Sequence, residues 1–155
     1  MQIKNGGEIK KRTWYGVTAT VIIGPGFIHR AGWGNFLIPH PPMANWLLRL
    51  KLTDSKRKAL SISHEFQHLQ TAPFYLIYTL VMLIIVFLKR HPNYSDIFIV
   101  FVSSHAAWEI LSEILTFFYN TQFYCKSYLK IPIFPRLVFW ISGSIVAAIG
   151  WLFII

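Results

Sequence analysis

Two histidines flank a glutamate in the run Ser63-His64-Glu65-Phe66-Gln67-His68. On a helix, positions four apart share a face, so both imidazoles can reach a single zinc ion. Glu65 sits beside them in sequence. It can take a proton from a zinc-activated water and pass it to a leaving amine. The competing reading is a pair of interfacial histidines on a helix entering a membrane, with Glu65 offsetting Lys56, Arg57 and Lys58.

A catalytic zinc site takes three protein ligands and keeps a fourth position open. Two glutamates, Glu109 and Glu113, lie four residues apart in an otherwise apolar run. Burying a carboxylate unpaired in hydrocarbon is strongly unfavourable, so such a pair marks a functional site. No basic residue within the apolar runs can neutralise them, whereas a metal dication can. Interhelical hydrogen bonding is the plainer alternative. The runs before and after the Lys89–Ser95 turn should pack antiparallel, with residue numbers at equal depth summing to about 184. Glu113 then lies level with Thr71 and Glu109 level with Tyr75. That slightly favours Glu113 as the third ligand and leaves Glu109 open. His105, one turn before Glu109, is a candidate oxyanion donor, an alternative ligand, or a hydrogen-bonded interhelical residue. Tyr119, Tyr124 and Tyr128 are candidate oxyanion donors that fit an interfacial aromatic belt better.

The elements that must position these groups follow from composition. The chain has 155 residues, 54% of them hydrophobic and 17% aromatic, with a mean hydropathy of +0.46. These values suit a polytopic membrane protein. The formal charge of +9 would suggest nucleic acid in a soluble protein. Here the cations are topology determinants and contacts to anionic lipid, and no nucleic-acid partner is expected. The single cysteine, Cys125, excludes an intramolecular disulfide framework.

The expected fold is a mainly α integral membrane protein in one domain, with about three transmembrane helices. Residues 1–12 read as a basic tail. Residues 13–52 read as a strand-rich, membrane-proximal region of two or three strands, punctuated by Gly24-Pro25-Gly26 and Gly32-Trp33-Gly34. Tyr15–Ile23 or Trp46–Leu52 is a candidate edge strand for binding a substrate backbone. Residues 53–118 hold the metal-site helix, with Thr53, Asp54 and Ser55 as possible caps, and two spans, Thr71–Leu88 and Ile97–Phe118. Residues 119–136 form a loop, and 137–155 a third transmembrane helix. Three spans place 13 of the 15 Lys and Arg residues on one side, leaving Lys89 and Arg90 on the other. The positive-inside rule then puts the N-terminal region and the site on the cytoplasmic side and the C-terminus outside.

The run LTDSKRKALSISHEFQH, Leu52 to His68, resembles the metal-site helix of gluzincin zinc metallopeptidases. Glu109-Ile-Leu-Ser-Glu113 resembles their second motif, Glu-x-x-x-Asp, with Glu in place of the usual Asp. The nearest subgroup is the membrane-embedded one of heat-shock membrane peptidases and prenyl-protein endopeptidases. This resemblance implies that His64, His68 and Glu109 bind Zn2+, that Glu65 is the general base, and that Glu113 holds His64 by a hydrogen bond. It also implies hydrolysis of a membrane-bound or membrane-proximal polypeptide. The rival expectation is a non-enzymatic membrane protein that binds a metal or a partner through His64, His68, Glu109 and Glu113.

Overall fold

The computed structural model describes residues 8–23, 29–40, 54–89, 92–119, 121–128 and 133–154. They form a mainly helical chain with a small antiparallel sheet. The strands are β1 (Glu8–Arg12), β2 (Thr18–Ile23), β3 (His29–Trp33) and β4 (Phe36–His40), in the spatial order of the sequence. The helices are α1 (Asp54–Lys89), α2 (Tyr94–Tyr119), α3 (Thr121–Tyr128) and α4 (Ile133–Ile154).

Contacts divide the chain into two compact units, 1–70 with 112–136 and 71–111 with 137–155. In the first, the sheet meets the early turns of α1. Ala19, Val21 and Ala31 are buried on the sheet, with Ile9 and Trp33 packed against them. The helix contributes Ile62, Phe66 and Leu69, at the i, i+4, i+7 spacing of one helical face. Small residues on the strands let that face come close. Two of the sheet's turns lie among the described residues. Thr13 closes the first, with its N–H and its Oγ1 both donating to Val17 O at 2.8 and 2.7 Å, and Gly16 in the left-handed region at φ 86°. Gly34, at φ 57°, makes the second. Gly32 is needed for a different reason: a Cβ there would lie 1.8 Å from Phe36 O.

Pro73 sits inside α1, where it cannot donate to the carbonyl of Leu69. Tyr15 donates its hydroxyl to Leu69 O instead, and Trp14 donates its indole N–H to Gln70 O at 2.7 Å. The β1–β2 turn thus satisfies the carbonyls around the proline break. Trp33 Nε1 donates to Tyr15 Oη at 2.7 Å and holds the ring in place.

The second unit contains the remaining turns of α1, the first part of α2, and α4. Met82, Val86 and Val100 form its buried centre. Ser103 Oγ donates to Ala147 O at 2.8 Å, and an added Cβ at Gly150 would lie 2.1 Å from Ser103 Oγ. Small residues at this contact let the two helix backbones approach closely. Tyr75 stacks on Trp108 at 4.2 Å, and Trp108 Nε1 donates to Thr71 Oγ1 at 2.8 Å. Leu76, Ile77, Leu80, Ile84, Phe87 and Leu88 are exposed. Ile62–Leu88 and Tyr94–Tyr119 are long and apolar enough to cross a membrane. α4 carries a shorter apolar stretch, Trp140–Leu152.

The structure departs from the sequence reading at several points. The end of the basic tail, Glu8–Arg12, is a strand, because Ile9 pairs with Val21 and packs into the core while its charged neighbours stay exposed. Residues 13–40 hold three strands, within the two or three expected, and β1 makes the fourth of the sheet. α2 starts at Tyr94 rather than Ile97, because Asn93 caps it: Asn93 Oδ1 accepts from Asp96 N–H at 2.9 Å, and Asp96 Oδ2 accepts from Asn93 N–H at 3.0 Å. The 119–136 loop contains the helix α3, and α4 starts at Ile133 rather than Leu137. Of the two candidate edge strands, Tyr15–Ile23 contains β2, which is paired on both sides and so is no edge, and Trp46–Leu52 lies outside the described residues.

Candidate metal centre

His64 and His68 occupy one face of α1, and both rings are buried. Their Nε2 atoms face each other at 2.9 Å. Each ring is gripped from behind by α2. His64 Nδ1 lies 2.8 Å from Glu113 Oε2, and His68 Nδ1 lies 3.0 Å from Ser112 Oγ. An ionised carboxylate only accepts, so His64 donates from Nδ1 and turns its Nε2 lone pair inward. His68 Nε2–H then donates across the 2.9 Å contact to His64 Nε2, and Ser112 Oγ donates to His68 Nδ1; a bound metal would require the other His68 tautomer, with Ser112 accepting from Nδ1. The buried Tyr124 of α3 donates its hydroxyl to Glu113 Oε1, so both carboxylate oxygens of Glu113 have partners.

This is how proteins prepare imidazoles for a metal: the remote nitrogen is fixed by a hydrogen bond and the near one is presented. Two imidazole nitrogens on a tetrahedral zinc stand roughly 3.4 Å apart at ordinary bond lengths. A separation of 2.9 Å therefore needs an opening of only about 0.5 Å. His64, His68 and Glu109 each offer a ligand atom, all within 4.8 Å of one another, and this group can hold a metal ion.

Glu65 falls about 60° round the helix from His68, between the histidine face and the face that packs on the sheet. Its Oε2 is buried and has no hydrogen-bond partner among the described residues. His105 is 50% exposed at its side chain, with Nε2 3.4 Å from Glu109 Oε1 and its ring edge-on to Trp108.

Sequence reasoning did not single out Ser112, whose signal was its place beside Glu113. It placed Tyr124 among belt or oxyanion residues, whereas the ring is buried and its hydroxyl is bonded to Glu113. Searches of family models, curated proteins and solved structures find no match to this chain.

Proposed function

We propose that the protein is a membrane-embedded zinc metallopeptidase acting on a membrane-bound or membrane-proximal polypeptide. The observation that carries this reading is the convergence of His64 and His68 Nε2, with both Nδ1 atoms held by adjacent residues of α2. Glu109 is the proposed third ligand, because its carboxylate comes near both rings. Glu113 is the proposed orienting group, because it already binds His64 Nδ1. Bound zinc would bring water within reach of deprotonation at neutral pH and would polarise a peptide carbonyl. Glu65 Oε2 would accept the proton of the attacking water and return it to the leaving nitrogen.

Membrane embedding is supported by the two helices of crossing length and by the apolar stretch of α4 as a third span. The distribution of Lys and Arg supports a cytoplasmic N-terminal region and an outward C-terminus. A second reading has one observation behind it. The approach of His105 to Glu109 would allow a fourth protein ligand and hence a closed, non-catalytic metal site.

The test is metal analysis of the detergent-purified protein together with cleavage of fluorescent casein. Wild type should carry one zinc per chain and cleave. Glu65→Gln should keep the zinc and lose cleavage. Absence of stoichiometric metal in wild type would refute the proposal. Zinc held by four protein ligands in X-ray absorption, without cleavage, would select the closed-site reading.

A further inference from the structure

Among the described residues, one end of the sheet is apolar. In a meander, the β1–β2 and β3–β4 turns lie at the same end and the β2–β3 connection at the other. Trp14 and Val17 belong to the first turn, and Phe36 opens β4 beside the second. They are 63%, 43% and 67% exposed. Strands about 4.8 Å apart make this end about 14 Å wide. Turns ordinarily carry small and polar residues, so large exposed rings here need an occupant to cover them.

Two observations identify that occupant. The first is charge. Lys11 and Arg12 are exposed and lead directly into the Trp14 turn, where Arg12 Nε donates to Gly16 O at 3.2 Å. Among the described strand residues the one carboxylate, Glu8, lies at the opposite end of β1. The second is depth. Trp14 is bonded twice to Gln70: its backbone N–H to Oε1 at 3.1 Å and its indole N–H to the carbonyl at 2.7 Å. Gln70 immediately precedes Thr71–Leu88, the uncharged run of α1. The turn is therefore tied to the residue at which the helix would enter hydrocarbon. Tryptophan beside Lys and Arg is the combination that settles at headgroup level, with rings in the boundary and cations at the phosphates.

We infer that this end of the sheet is a membrane-contact surface, seated about 5–10 Å into the headgroup layer of an anionic bilayer. The inference rests on the membrane-spanning reading above. Spin labels test it in the full chain, in a Cys125→Ser background. Labels go at Val17 and Asn35, one in each turn, at Glu8, about 13 Å back along β1, and at Ile84 in the apolar run. The protein is reconstituted in mixed phosphatidylcholine and phosphatidylglycerol vesicles. Accessibility to oxygen relative to a water-soluble nickel chelate should rank Ile84 highest, Val17 and Asn35 between, and Glu8 lowest. Replacing phosphatidylglycerol with phosphatidylcholine should move Val17 and Asn35 toward water. Labels at Val17 and Asn35 as water-exposed as Glu8, with Ile84 in lipid, would overturn the contact surface alone. A water-exposed Ile84 would overturn the spanning reading and the surface with it.

Discussion

Tyr15→Phe removes one oxygen that serves two partners. Leu69 O loses its donor, and Trp33 Nε1 loses its acceptor. An unmet buried polar group costs about 1–3 kcal/mol. Tyr15 is half-buried and water can reach part of the gap, so the lower end applies to each group and the expected loss is about 2 kcal/mol. The part due to Leu69 O exists because Pro73 has no N–H to offer it. In a Pro73→Ala background the helix regains that donor, and Tyr15→Phe should then cost about 1 kcal/mol, leaving a coupling of about 1 kcal/mol. The assay is denaturant unfolding in detergent micelles for wild type, both single variants and the double variant, followed by far-ultraviolet circular dichroism. Independent sites add to within about 0.3–0.5 kcal/mol. If Tyr15→Phe costs the same in both backgrounds within that margin, the turn does not complete the helix at its proline and the reasoning fails.

Two further outcomes follow from the site and the sheet. Tyr124→Phe should weaken zinc binding by roughly tenfold in chelator competition while leaving helical content unchanged, because Glu113 loses the donor that fixes the carboxylate behind His64. Equal affinity would show that Tyr124 is mere packing. Gly32→Ala should lower stability by more than about 3 kcal/mol, since its Cβ would overlap the backbone of Phe36, whereas Gly34→Ala should cost only about 1 kcal/mol of left-handed strain in open space. Thermal unfolding of the two variants side by side checks the contrast.

The parts of the fold that depend on local pattern were legible in the sequence. The spacing of His64 and His68 put both on one helical face, and Gly32-Trp33-Gly34 marked a turn between strands. The equal-depth rule placed Glu109 level with Tyr75, and the ring stacked on Tyr75 is that of Trp108, the residue before Glu109. Past Pro73 the rule slipped. Glu113 meets His64 rather than lying level with Thr71, a difference of about two helical turns. A proline interrupts the backbone ladder between those two regions, and a rule that counts residues at a fixed rise takes no account of it. β1 was hidden for another reason. Its Lys10, Lys11 and Arg12 are the charges that blunt an exposed sheet edge, and in sequence they look like a tail. Tyr124 was hidden because α3 is too short to show a periodic face, so nothing marked which tyrosine turned inward.

The meander has a consequence for synthesis. Each strand pairs with the one made just before it, so the sheet can close while the rest of the chain is still on the ribosome. Its apolar side, with Ala19, Val21 and Ala31, gains Ile62, Phe66 and Leu69 only when that segment emerges. The histidines arrive with that same segment, but their α2 partners are made more than forty residues later, and Tyr124 later still. A nascent chain therefore passes through a stage with both imidazoles made and neither yet aimed. In the proposed metallopeptidase, metal loading would belong to the end of assembly, after α3 has folded back on Glu113.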